Sequence, residues 1–157
     1  MTQPAQTTST WYDDGMQFTC TQCGNCCTGP AGYVWFNDQE ADEMAQAVDM
    51  KKAEFLEAYS HVEFGNRTLK EICNEKGEYD CVFLKKDKEG KRGCSIYAVR
   101  PQQCRTWPFW PENLKSPEHW RRGAVRCPGM TAGGLQGQGQ GKFYPIEEIR
   151  VIRDSNV

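Results

Sequence analysis

The sequence predicts a small α+β domain that is irregular around a metal site. Four of its nine cysteines fall within residues 20–27. Hydrophobic residues make up 38% of the chain and the mean hydropathy is −0.74, so apolar burial is thinner than in an average domain. Capping and apolar patterns indicate two short helices, a hairpin and a terminal helix. Because a site formed only on folding adds its binding free energy to stability, we expect metal coordination to help hold the domain.

The length of 157 residues favours one domain. Residues 1–15 are mostly Thr, Gln, Ser and Asp, which is typical of a flexible segment without function. We therefore predict a lead-in over residues 1–17 and a metal-binding domain over residues 18–153.

Charge and hydropathy limit the partners and the compartment. The net charge of −2 and the pI of about 5.7 give no general attraction to nucleic acid or anionic membrane, and we expect neither partner. Residues 1–15 lack the basic and apolar regions of an export signal, and no window resembles a membrane span. We expect a cytoplasmic location, where free thiolates persist.

Two helices are predicted from their capping residues. Asn37 with Glu40 forms a capping box at the start of a helix over residues 38–48. Asp49 is the expected N-cap of a second helix that ends near residue 59. Apolar spacing indicates that both helices serve packing.

Short apolar or β-branched runs predict the strands. Residues 33–36 are expected to form a buried strand, and residues 67–72 an edge strand. Residues 81–84 and 94–97 are expected to pair as a hairpin around the charged loop 85–93. This loop has mixed charge, which favours a solvated surface over nucleic-acid binding.

The second half of the chain is rich in proline and glycine. Pro101 can open a helical turn, and residues 107–111 contain too much proline for a central strand. These aromatic residues are expected to line the metal site, and a partner surface is the alternative. Ser116 precedes a short helix, residues 133–141 are expected to form a loop without chemistry, and a last helix is predicted over residues 146–153.

Eight cysteines form the candidate ligand set. They are Cys20, Cys23, Cys26, Cys27, Cys81, Cys94, Cys104 and Cys127. Zinc and four-iron clusters each take four thiolates, so two sites are the natural count, with one larger site as the alternative. A disulfide framework is disfavoured by the odd cysteine count and the absence of an export signal. Cys73 stands apart from any motif.

Adjacent side chains usually diverge, so Cys26 and Cys27 are expected to serve different centres. The eight cysteines are therefore expected to divide into two sets of four. One site is expected to use Cys20, Cys23, Cys26 and Cys127, and the other Cys27, Cys81, Cys94 and Cys104.

Four thiolates around zinc or an oxidised four-iron core leave a net charge near −2. Arg100, Arg105 and Arg126 lie near the candidate ligands and can compensate that charge, although they can equally be surface residues. Neither His61 nor His119 has ligand spacing. No catalytic residue can be named.

The identity of the metal stays open between iron and zinc. Cys-x-x-Cys-x-x-Cys with a distant Cys-Pro is similar to bacterial ferredoxin ligand runs, which favours an iron–sulfur cluster of the 4Fe–4S type. The fourth cysteine of a ferredoxin run would follow after three intervening residues, whereas Cys27 is adjacent to Cys26. Zinc is the alternative.

The chain resembles the YkgJ-type CxxCxxCC family, described as a zinc- or iron-chelating domain. The resemblance spans residues 18–152 and depends on five motifs. They are Cys20-x-x-Cys23-Gly24-x-Cys26-Cys27, Cys81-x-Phe83-Leu84, Cys94-x-Ile96-Tyr97-x-x-Arg100-Pro101-x-x-Cys104-Arg105, Pro108-Phe109 and Cys127-Pro128-Gly129. Trp107 stands where the family tends to carry tyrosine.

The resemblance implies metal binding. We therefore expect a redox or accessory protein that meets a protein partner. The alternatives are a zinc-stapled interaction module and a modifying enzyme related to flagellin lysine N-methylases, whose activity is not transferred to this chain.

Overall fold

The computed structural model describes residues 9–133 and 141–155, and it is a mixed α+β structure as predicted. The strands are β1 (Met16–Phe18), β2 (Thr28–Gly29), β3 (Ser60–Glu63), β4 (Asn66–Leu69), β5 (Glu71–Cys73), β6 (Tyr79–Cys81), β7 (Leu84–Lys86), β8 (Arg92–Cys94) and β9 (Lys142–Tyr144). The helices are α1 (Asp38–Ala47), α2 (Lys52–Tyr59), α3 (Gln102–Arg105), α4 (Pro111–Leu114), α5 (Pro117–Ala124), α6 (Pro128–Gly133) and α7 (Ile146–Asp154). Short 3₁₀ turns lie at Asn25–Cys27 and Tyr97–Val99.

The described chain divides into two compact units. Unit 1 contains residues up to 20 together with residues 108–155, and unit 2 contains residues 21–107. None of the helices in the described ranges is long and apolar enough to cross a membrane.

Unit 1 is built around aromatic side chains. Strand β1 pairs with β9 in antiparallel register, with Met16 opposite Tyr144. Phe109 is buried and its ring packs on Phe18, Trp120 and Tyr144, with centroid distances of 6.2, 5.8 and 4.8 Å. Phe109 therefore belongs to the core of this unit.

The predicted lead-in differs from the structure over residues 9–17. Tyr12 and Met16 are buried, and the Tyr12 hydroxyl accepts a hydrogen bond from Arg153 at 2.8 Å. The Trp11 indole donates to the Leu114 carbonyl at 2.8 Å. A few aromatic side chains are enough to anchor a segment whose other residues are polar. Residues 1–8 of the lead-in lie outside the described residues.

Unit 2 combines α1 and α2 with small antiparallel sheets. The sheets are the hairpin β3–β4, the three-stranded sheet in the order β2-β6-β5, and the hairpin β7–β8. Its buried core consists of Met44, Ala45, Phe55, Leu69, Val82, Phe83 and Ile96. Three of these, Val82, Phe83 and Ile96, lie one or two residues after a candidate ligand, so the core fixes the backbone next to the thiols.

The two predicted helices of unit 2 are present. The Asn37 side chain accepts from the Glu40 amide at 2.8 Å, and the Glu40 carboxylate accepts from the Asn37 amide at 3.0 Å, which completes the predicted capping box. The second helix begins later than expected, because Asp49 has a φ of 56° and Lys51 is the N-cap. Asp49 therefore ends the turn between the helices and caps neither.

The predicted strands are less regular than expected. Residues 33–36 are half-buried at most and make one isolated bridge, Trp35 to Thr68, so the buried strand was wrong. The predicted strand 67–72 is divided at Lys70 into β4, which pairs with β3, and β5, which pairs with β6. The Lys70 amide donates to the Tyr59 carbonyl on the β3 side, and its carbonyl accepts from the Val82 amide on the β6 side. The hairpin around the charged loop is confirmed, although its paired strands β7 and β8 lie nearer the tip.

The later predictions are mostly confirmed. Pro101 precedes the single turn of α3, residues 107–111 contain no strand, and Ser116 caps α5 by accepting from the His119 amide. The last helix is α7, in which Ile149 is buried but Val151 is 71% exposed. Residues 134–140 of the predicted loop lie outside the described residues.

Candidate metal centre

Five thiols of unit 2 lie close enough to influence one another electrostatically. They are Cys26, Cys27, Cys81, Cys94 and Cys104, and we call them the five-thiol group. Cys27 interacts with three of the others, and so does Cys104. The fold thus gathers cysteines that are up to 78 positions apart in the sequence.

Cys26 and Cys27 are presented by a tight turn. Gly24 takes a left-handed conformation with φ of 76° immediately before the 3₁₀ turn. A Cβ at Gly24 would lie 2.9 Å from the Leu84 side chain, so glycine also permits the close approach to β7. The Sγ atoms of Cys26 and Cys27 are 4.0 Å apart. The expected divergence of these two side chains is not found, and their assignment to different centres stays a prediction.

Cys81 and Cys94 end β6 and β8 in matching local structures. The Phe83 amide donates to the Cys81 sulfur, and the Ile96 amide donates to the Cys94 sulfur. Ser95 joins the two turns, since its amide donates to the Phe83 carbonyl at 2.8 Å. Backbone donors two residues after each cysteine stabilise a thiolate, as expected of a metal ligand.

Arg100 supplies positive charge to the group. Its Nε donates to the Tyr97 carbonyl at 3.0 Å, its Nη1 donates to the Cys104 carbonyl at 3.4 Å, and its Cζ lies 3.8 Å from the Tyr97 ring centroid. These contacts hold the guanidinium where it acts on the thiols of Cys26, Cys94 and Cys104.

The other two arginines named from the sequence differ from Arg100. Arg105 pairs with Glu40 at 3.8 Å and is half exposed. Arg126 belongs to unit 1. Arg100 is therefore the arginine that the structure places against the five-thiol group.

Burial holds most of these thiols in the protonated form in the absence of metal. It raises the pKa of Cys81 to about 11 and that of Cys104 to about 12, and it also raises the pKa of Cys94, with Arg100 opposing the effect at Cys94 and Cys104. The hydrogen bond between Cys26 and Cys27 lowers the pKa of Cys26 to about 7 and raises that of Cys27. A metal that binds here must displace protons, which couples binding to pH.

Thiolates are the ligands that zinc and iron–sulfur clusters take, so the donors fit such a metal. The sulfur atoms of the described residues do not surround a common point in this structure. Within residues 9–133 and 141–155, no three His, Cys, Asp or Glu side chains converge closely enough to hold a metal ion. The Cys26–Cys27 sulfur separation of 4.0 Å compares with the roughly 3.8 Å expected of two thiolates on one tetrahedral zinc at about 2.3 Å each. Binding therefore requires the remaining thiols to turn toward a common centre.

The other predicted ligands are distributed over both units. Cys23 is in unit 2, where its sulfur accepts from the Asn25 amide at 3.4 Å. Cys20 and Cys127 are in unit 1, on adjoining segments: the backbone of Gly129 packs so closely on the Thr19 carbonyl that a Cβ would clash. Their role as ligands stays a prediction.

Cys73 and the histidines lie outside the five-thiol group. Cys73 is exposed on β5, opposite Tyr79. His61 is 44% exposed, and His119 contacts the cap residue Ser116.

The contacts that support the five-thiol group were not predicted from the sequence. The backbone donors of Phe83 and Ile96 were signalled by the matching Cys-x-Phe and Cys-x-Ile runs, in which the third residue is buried in the core. The position of Arg100 against Tyr97 had no comparable signal, because it depends on the 3₁₀ turn at Tyr97–Val99.

Comparison with known proteins agrees with the resemblance inferred from the motifs. A family model described as "CxxCxxCC: Putative zinc- or iron-chelating domain" matches residues 19–128. The chain is 33% identical over 98 residues to "Uncharacterized protein MJ0661" of Methanocaldococcus jannaschii. That alignment covers 62% of this chain and 48% of the relative, so the chain spans about half the length of that protein. No solved structure matches the chain.

Proposed function

The chain belongs to the CxxCxxCC family, and on that premise we propose that it is a metal-binding protein whose centre is the five-thiol group of unit 2. The observation that carries this proposal is the electrostatic proximity of Cys26, Cys27, Cys81, Cys94 and Cys104 to one another, with Arg100 acting on three of them. Cys20, Cys23 and Cys127 are expected to contribute further ligands, as the sequence predicts.

We propose an iron–sulfur cluster of the 4Fe–4S type as the occupant, because the Cys-x-x-Cys-x-x-Cys run is similar to that of ferredoxins. Such a cluster supplies one-electron chemistry, and the role that follows is electron transfer or assistance to a partner enzyme. The protein holds the cluster through thiolates, donates backbone N–H bonds to the sulfurs of Cys81 and Cys94, and offsets the negative charge with Arg100.

A structural zinc ion is the second candidate. It is favoured by the 4.0 Å between the sulfurs of Cys26 and Cys27, which suits two ligands of one ion better than two thiolates bound to separate irons. In this case the chain is an interaction module, and the metal stabilises its fold.

Purification without oxygen, followed by metal and acid-labile sulfide analysis, separates the two candidates. An iron–sulfur protein contains iron and sulfide in equal amounts and absorbs broadly in the visible range. A colourless protein with stoichiometric zinc would replace the redox role by the structural one. Protein that folds fully and binds neither metal would refute the proposal.

A further inference from the structure

The hairpin β7–β8 forms one side of an open cavity of about 350 Å³. This volume lies at the lower end of the range of small-molecule sites. Four cationic side chains line it: Lys85, Lys86, Lys91 and Arg92. The cavity also borders Cys94, a member of the five-thiol group. We call it the hairpin groove.

The groove is positively charged, whereas the whole chain has a net negative charge. Residues 85–92 carry five cations and two acids, a net charge of +3, whereas the chain as a whole carries −2. None of the four lining cations makes an ion pair with the described residues of the chain. Arg92 instead donates to the Asn25 side-chain oxygen at 3.0 Å, which fixes its guanidinium.

The carboxylates near the groove accept hydrogen bonds from other residues of unit 2. Asp87 also lines the groove, but its Oδ1 accepts the backbone amides of Glu89 and Lys91, each at 2.9 Å, and so serves the turn. Asp80 acts electrostatically on Lys86 and Arg92, while its carboxylate accepts from Thr28 and Asn74. The lining therefore keeps an excess of positive charge that a bound anion would neutralise.

We propose that the hairpin groove binds a small oxyanion of the phosphate or carboxylate class that carries two or more negative charges. An open cavity of this size fits a small molecule better than the broad face of an acidic protein, which needs a larger contact area. A ligand bound here would lie beside the proposed metal centre, because Cys94 borders both. The proposal depends on the charges of the groove and holds for either metal.

Calorimetric titration of the metal-containing protein with inorganic pyrophosphate tests the proposal, and citrate serves as the carboxylate probe. Saturable binding of one molecule per chain is expected from at least one of them, and the stronger probe identifies the class. Lys86→Gln and Lys91→Gln should each weaken this binding by about tenfold, as for the loss of a charged hydrogen bond.

Lys88→Gln is the matched control, because Lys88 lies on the same hairpin and outside the lining. It removes the same charge and should change the affinity by less than about twofold, since only distant, screened charge is lost. Circular dichroism and metal content establish that each variant is folded and loaded. Equal losses in Lys88→Gln and Lys91→Gln, an absence of saturable binding of both probes, or binding of a polyglutamate peptide alone would overturn the proposal.

Discussion

Arg100 and the thiols around it show how single residues create the candidate centre. The guanidinium is fixed by two carbonyls and the Tyr97 ring, so it is ordered before any metal binds. Cysteine spacing predicts eight candidate ligands and a set of Cys27, Cys81, Cys94 and Cys104, but it did not predict the gathering of Cys26 with these four in unit 2. That gathering depends on the ends of β6 and β8, and spacing along the chain does not show where strands meet.

Replacement of one thiol in the group should release metal. Cys104→Ser removes a half-buried candidate ligand and should reduce the metal bound per chain by at least half. Cys73→Ser is the control, because Cys73 is exposed on β5 and outside the group. Metal analysis of the two purified variants measures the effect, and equal metal content in both would contradict the assignment of Cys104.

Loss of the Arg100 charge should weaken metal binding. Arg100→Gln keeps hydrogen-bonding capacity but leaves the charge of the thiolates less compensated, so metal affinity should fall by about tenfold. Arg105→Gln should leave the affinity unchanged, because Arg105 pairs with Glu40. Competition with a chelator measures both affinities, and a larger loss in Arg105→Gln would argue against the role of Arg100.

At the scale of elements, a helix start is predictable where all the residues of its capping motif are present in the sequence. The capping box lies within the four residues from Asn37 to Glu40, so the sequence alone shows it, and α1 begins where the box predicts. The hairpin β3–β4 was missed because its turn uses Phe64 and Gly65, with φ of 51° and 78°, instead of Asn-Gly. Phenylalanine rarely adopts this conformation, so the sequence gives little warning of the turn.

The two candidate N-caps provide a test of this interpretation. Asn37→Ala removes the acceptor of the Glu40 amide and should lower the free energy of unfolding by about 1 kcal/mol. Asp49→Gly should not lower the free energy of unfolding, because Asp49 caps no helix in the structure and glycine suits its φ of 56°. Urea unfolding of both variants at constant metal content is the measurement, and a loss in Asp49→Gly larger than that in Asn37→Ala would contradict the observed start of α2.

At the scale of the molecule, the stabilising interactions differ between the two units. Unit 1 has a core of interlocked aromatic rings, including Phe109 and Trp120, and it contains two of the nine cysteines. Unit 2 contains the other seven cysteines, and its core side chains adjoin the two turns that follow Cys81 and Cys94. Buried thiols without metal contribute less than coordinated thiolates, since coordination adds its binding free energy to folding. Metal should therefore contribute unequally to the two units.

Removal of the metal should loosen unit 2 first. Hydrogen exchange of the chelated protein should show lost amide protection in β6, β7, β8 and α3, while the amides around Trp120 in α5 keep theirs. The holoprotein with excess metal is the control, and restored protection on reloading shows that the loss comes from the metal. A loss that extends to residues 19–20 and 127–129 would support Cys20 and Cys127 as ligands, because those segments carry the thiols of unit 1. Equal loss of protection throughout both units would contradict the location of the main centre in unit 2.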